Sequence, residues 1–159
     1  MAWADSRVFR RHIENMVNND IAYDWVADTV KAALYGTTIT PDNDVATDAL
    51  TQYNGAASQW VTGGEIIDSS GGGTDWPAGG VALASKTTLV AVADKVTLDA
   101  ADTASGATAD IAAAFGCLVY DTTTASNGFC YNYFGGTNSV TNGTFTIVWN
   151  ANGVMQYTL

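Results

Sequence analysis

The sequence predicts a mainly β fold: a single-domain antiparallel β-sandwich, jelly-roll-like arrangements included, with a short N-terminal amphipathic helix or arm. Three observations lead there. The terminal stretch 144–159 alternates apolar and polar residues on both sides of Asn152-Gly153, as a β-hairpin does. Short alternating segments bounded by glycine or polar turn residues recur at 81–84, 88–93, 95–100, 115–121 and 128–134. The composition, 47% hydrophobic and 14% charged with 16 Gly and 2 Pro, suits a packed chain with many turns rather than a disordered one.

The terminal hairpin is the strongest of these signals. A two-residue loop at Asn152-Gly153 would mix its faces. A three-residue loop, Ala151-Asn152-Gly153, with Gly153 left-handed, instead pairs Trp149 with Met155, Ile147 with Tyr157 and Phe145 with Leu159. Those six residues then form one apolar face and a predicted core, while Thr144, Thr146, Val148 and Thr158 face outward.

A chain of 159 residues can bury a core without staples, and it contains no linker. It reads as one domain, with an arm or helix over 1–19 and the sandwich over 20–159. The net charge of −10 argues against nucleic acid or an anionic membrane as partner. Basic residues are concentrated at the start, where Arg7, Arg10 and Arg11 are three of the six. No apolar run approaches a membrane span, and no signal-peptide core follows the arginines, so synthesis in the cytosol is expected. The sequon Asn142-Gly143-Thr144 should then go unused.

Along the chain, Asp5 or Ser6 can cap a helix reaching about Val17. Phe9, Ile13, Met16 and Val17 would lie on one arc and Arg7, Arg10, Arg11 and Glu14 on the other. Residues 20–36 suit either a helix or a strand. Residues 37–44 form a loop around Pro41, and 45–53 allow a helical turn or two before Asn54-Gly55. The glycine-rich stretch 60–80 is a long loop held by Trp60 and Trp76, which are costly to leave in water. The segments at 81–84, 88–93 and 95–100 resemble a meander. Residues 102–110 form a polar loop, and 115–121 pairs with 128–134 in a second hairpin that Gly135-Gly136 ends.

Residues that could carry chemistry do not assemble into a set. His12, the single histidine, sits among the helix arginines. Asp42, Asp44 and Asp48 lack the glycine and closing glutamate of a calcium loop. Gly71-Gly72-Gly73 lacks the lysine of a phosphate loop. No catalytic residue, metal or cofactor is expected. Cys117 and Cys130 face each other across a four-residue loop, 122–125, whereas a six-residue loop moves Cys117 to Asn132; buried thiols are favoured over a disulfide. Phe129, Tyr131 and Tyr133 form a stripe at strand spacing that could stack a sugar, although packing is the commoner use.

Several stretches together resemble the small virion structural proteins of tailed bacteriophages. They are Asp28-Thr29-Val30-Lys31-Ala32-Ala33-Leu34-Tyr35 leading into Thr40-Pro41-Asp42, then Trp76-Pro77-Ala78-Gly79-Gly80 and Leu98-Asp99-Ala100-Ala101-Asp102. Gly116-Cys117-Leu118-Val119-Tyr120-Asp121, Tyr133-Phe134-Gly135-Gly136 and Gly143-Thr144-Phe145-Thr146-Ile147-Val148-Trp149 follow, so the resemblance spans nearly the whole chain. It tips residues 28–35 toward a strand. It implies a non-enzymatic virion component, a capsid decoration or cement protein bound in many copies to the major capsid protein or another virion protein. A homo-oligomer is implied, with a trimer favoured. Trp3, Arg7, Phe9, Arg10, Arg11 and Ile13 are the expected partner-binding residues, because they join an apolar arc to the dense positive charge. Within virions the alternative is a minor tail, collar or head-fibre protein contacting the host surface. Outside them it is a carbohydrate-binding β-sandwich module.

Overall fold

The computed structural model describes residues 3–70, 73–91 and 94–158. In chain order the elements are β1 (Arg7–Val8), α1 (Arg10–Asn18), β2 (Val30–Tyr35), α2 (Asp48–Thr51), β3 (Glu65–Ile66), β4 (Val81–Ala82) and β5 (Thr87–Ala91). They continue with β6 (Lys95–Asp99), β7 (Thr103–Ala104), β8 (Ala109–Asp121), β9 (Asn127–Gly143), β10 (Thr146–Ile147) and β11 (Met155–Thr158). The fold is mainly β and sandwich-like, and every strand pair is antiparallel. One sheet runs β1-β9-β8-β2-β3 with β4 also on β2, a second runs β11-β6-β5, and a third pairs β10 with β7.

The chemistry of β2 explains its ambiguous sequence. Val30, Ala32, Ala33, Leu34 and Tyr35 are all buried, because the large sheet is covered on both faces. A strand buried on both faces loses its period of two. Val30, Ala32 and Leu34 join Cys117, Val119, Leu98, Phe145, Ile147 and Met155 in one core, against the two small sheets. Ala33 and Tyr35 join Leu118, Tyr120, Tyr131, Trp3, Phe9, Ile39 and Trp60 in a second core, covered by the N-terminal arm and the chain from 37 to 64.

The β8–β9 ribbon is longer than its sequence signal. Gly135 and Gly136, with φ of 80° and 158°, interrupt the ladder without ending it, and pairing continues to Ala109 opposite Gly143. A register shift between Val119 and Tyr120 makes Phe129 the extra residue on β9. Phe129 therefore joins Cys130 in the first core while Tyr131 enters the second, which breaks the expected aromatic stripe. Cys117 lies opposite Asn132 and Cys130 opposite Val119, and both cysteines are free and buried. Burial pushes the Cys130 thiol up to about 12 and raises that of Cys117 well above the ordinary thiol value.

The terminal hairpin is not the one its alternation predicts. Its turn is tight: Gly153 (φ 81°) donates its N–H to Asn150 O at 2.7 Å, leaving Ala151-Asn152 as a two-residue loop. Among the described residues, only the bridge Asn150 to Gly153 links the arms. Thr146 and Ile147 pair with Ala104 and Thr103, whereas 155–158 pairs with Leu98 back to Lys95. The Trp149–Met155 and Ile147–Tyr157 pairs therefore do not form, and Leu159 lies outside the described residues. The physical reason is that alternation specifies which side of a strand is apolar but not which backbone satisfies it. Other groups take the arms' amides: Trp149 N–H reaches Asp102 Oδ1 at 3.0 Å and Phe145 N–H reaches Ser105 Oγ at 2.8 Å. Of the predicted core, Phe145, Ile147 and Met155 are buried and Trp149 and Tyr157 half-buried, while Val154 is buried beside them.

Other expectations also change. β5 and β6 form a hairpin, but β4 leaves the expected meander to pair with β2, and the loop 102–110 contains β7. Val92 and Ala93 of the predicted strand, and Gly71 and Gly72 of the glycine cluster, lie outside the described residues. The long loop is tied by carboxylates. Buried Asp68 accepts hydrogen bonds from the N–H groups of Ser70, Asp75 and Asp110 and from Ser70 Oγ. These bonds, that from Asp110 foremost, pull its carboxyl down to about 2.

Trp60 is the hub of the second core, with ring centroids 5.1 Å from Tyr35, 5.8 Å from Trp3, 6.0 Å from Tyr131 and 6.1 Å from Phe9. Gly116 lets the Trp3 ring approach the sheet closely, since a methyl there would run into that ring and Asn132 O. The indole N–H of Trp60 is buried without a hydrogen-bond partner among the described residues. Trp60→Ala should therefore cost about 3–5 kcal/mol in urea unfolding. Trp60→Phe, which removes the unpaired N–H and keeps a ring, should cost clearly less, and equal losses would place Trp60 outside the core.

Candidate functional site

The N-terminal segment, where sequence reasoning concentrates the partner-binding residues, is built into the fold. Arg7 and Val8 pair as an edge strand with Tyr131 and Cys130, so the helix begins later than expected, at Arg10, with Phe9 at its N-cap and no side-chain cap. Phe9 N–H donates to Phe129 O at 3.0 Å, and Trp3 Nε1 donates to Gly36 O at 2.9 Å. Trp3 and Phe9 are both buried, so these two expected contact residues are spent on the chain's own second core.

The arginines are engaged as well. Arg7 bridges Asp5, Arg10 bridges Asp44 at 2.8 Å, and Arg11 bridges Glu14 at 2.8 Å and Asp48 at 2.9 Å. The exposed pairs of Arg7 and Arg10 add little stability, roughly 0–1 kcal/mol each. Their larger effect is to neutralise the positive charge of this region. Asp42 Oδ1 accepts the N–H of Asp44, so the three aspartates of the loop serve a turn and two ion pairs. Among the described residues no group of three or more His, Cys, Asp or Glu side chains converges as metal ligands.

Helix α1 is packed with its polar side inward. His12 and Asn15 are buried, Ile13 is half-buried, and Met16 and Val17 are 39% and 78% exposed. His12 Nε2 lies 2.7 Å from the Tyr157 hydroxyl, and its ring packs 4.7 Å from both Tyr23 and Phe129. Asn15 Nδ2 donates to Asp48 Oδ1 at 2.8 Å and to the Tyr23 hydroxyl at 3.3 Å. The expected apolar arc loses Phe9 to the core and keeps Ile13, Met16 and Val17, joined at its edge by Arg10. The inversion is not legible in the pattern, because it depends on Tyr157 and Asp48, which are remote in sequence.

Among the described residues, no helix is long and apolar enough to cross a membrane. The chain matches no protein-family model, no curated protein and no solved structure.

Burial pushes His12 down to about 3, so the folded state keeps the ring neutral where an unfolded chain would protonate it below about 6.5. The unfolded state then binds the extra proton between those values. Stability from this site is complete above about pH 6.5 and declines as pH falls toward 3. Melting temperatures of the parent and of His12→Leu, followed from pH 7 to 4, should converge or cross in favour of the variant; a constant gap would mean that His12 does not titrate between the two states.

Proposed function

We propose that this protein is a bacteriophage virion structural protein, a capsid decoration protein held in many copies on the major capsid protein or another virion protein. The resemblance of its punctuating motifs to that family is the starting point. The observation that carries the reading is the inverted N-terminal helix. A short helix on a globular domain ordinarily turns its apolar side inward. α1 instead buries His12 and Asn15 and leaves Met16 and Val17 exposed, with Ile13 half-buried and Arg10 beside them. An outward apolar arc with a polar rim, here the Arg10–Asp44 pair, is what a contact surface on a partner requires. The attachment residues are accordingly Ile13, Met16, Val17 and Arg10, rather than Trp3 and Phe9. On a repetitive lattice each copy needs only a modest contact energy where adjoining copies or several contacts act together.

Removing residues 1–17 would strip Trp3, Phe9 and β1 from the fold and so would not isolate attachment. The double substitution Met16→Asp/Val17→Asp acts only on exposed positions. It should change the unfolding free energy by about 0.5 kcal/mol per site or less, yet remove the protein from purified particles as quantified by mass spectrometry. Absence of the parent chain from particles, or undiminished incorporation of the double variant, would refute the reading.

A further inference from the structure

We propose that the cleft between the large sheet and the C-terminal turn is a binding site for a neutral oligosaccharide. The inference does not rest on the virion reading. The cleft encloses about 470 Å³, inside the range of roughly 300–1,000 Å³ typical of small-molecule sites. One wall is β9, which supplies Asn132, Tyr133 and Asn138. The other is the run from Thr146 to Asn150 with Gly153, and Ser6 also lines the cleft.

Its chemistry narrows the ligand. In a chain with 16 acidic residues, none of the described residues lining this cleft is charged. A cationic or anionic ligand would enter without a counter-charge, and an anion would also oppose the net charge of −10. The lining combines aromatic rings with amides. A pyranose needs both, since its axial C–H face packs on an aromatic ring while its vicinal hydroxyls bond to groups that donate and accept in one plane.

The polar groups are already oriented by the fold. Asn138 Nδ2 donates to Gly136 O at 2.9 Å, leaving Oδ1 to accept. Asn150 Oδ1 accepts the N–H of Asn152 at 2.9 Å, leaving Nδ2 to donate. Ser6 Oγ accepts the N–H of Tyr133 at 2.9 Å and keeps its own proton to give. The rings are held too: Trp149 Nε1 donates to Thr103 Oγ1 at 3.2 Å, and Phe134 packs on Phe145 with centroids 6.3 Å apart. Rings and amides fixed before binding cost little further entropy when a sugar arrives.

The test is an NMR titration of the isolated full chain with maltotetraose, cellotetraose, chitotetraose and mannotetraose, with sialyllactose and a heparin tetrasaccharide as anionic controls. At least one neutral sugar should give saturable shifts confined to 132–138 and 146–153, with micromolar to millimolar Kd, and the anionic probes should give none. Asn138→Ala, at an exposed position, should weaken binding roughly tenfold with an unchanged melting temperature. Trp149→Phe, which keeps a ring but loses the anchoring N–H, should weaken it as well. The proposal is overturned if none of the four neutral sugars binds, if only the anionic probes bind, if the shifts map elsewhere, or if both variants bind like the parent. Met16→Asp/Val17→Asp should leave sugar binding intact, so a failure of the virion reading and a failure of this one are separable.

Discussion

The pairing of β8 with β9 is the constraint on which the rest of the molecule depends. β1 adds to the outer edge of this ribbon and β2 to its inner edge, and β2 in turn carries β3 and β4. Because both faces of the ribbon are covered, its residues divide between two cores on opposite sides, and the register shift at Val119/Tyr120 decides on which side Phe129 falls. Shifting that register would move Phe129 and Tyr131 between cores that differ in shape and depth.

The second core makes the N-terminal segment structural. Trp3 and Phe9 of the N-terminal segment and Trp60 of the long loop bring two distant parts of the chain onto the face formed by Ala33, Tyr35, Leu118 and Tyr131. The loops that reach there are tied by half-buried and buried acceptors rather than by regular structure. Glu65 accepts from the Tyr53 hydroxyl at 2.8 Å and from Gly79 N–H at 2.9 Å, while the Tyr120 hydroxyl donates to Gly79 O at 2.8 Å. Burial raises the Glu65 carboxyl, and its hydrogen bonds oppose that shift. The 60–80 stretch thus holds its shape through named polar contacts while its two tryptophans fill the cores.

An interior that accepts His12 and Asn15 leaves a surface that must accept Met16 and Val17. The proposed attachment arc follows from this exchange, and it lies on a helix whose arginines are matched by neighbouring carboxylates. The neutral cleft is built from different elements, β9 and the C-terminal turn. Separate surfaces for a particle contact and for a sugar would let one fold hold its place and meet a glycan at the same time.

The sequence by itself determined the fold class, the punctuation and most of the apolar residues. Glycine turns and short alternating segments have few other solutions, and the burial of Trp60 and Trp76 follows from their cost in water. The helical turn at α2 and the left-handed Gly153 were equally legible, because both depend on residues adjacent in the chain. The β8–β9 and β5–β6 neighbours were legible in the sequence as well, but tertiary structure alone decided the partners of the remaining strands. The arms of the terminal turn have the alternation of a hairpin, yet Asp102, Ser105 and β6 take their backbone groups, and no local pattern encodes that choice. The helix was read correctly as amphipathic, but only Tyr157 and Asp48, brought in from the far end of the chain and from α2, made its polar side the buried one. Periodicity reports which residues share a face; which face is inside is settled by what the rest of the chain places against it.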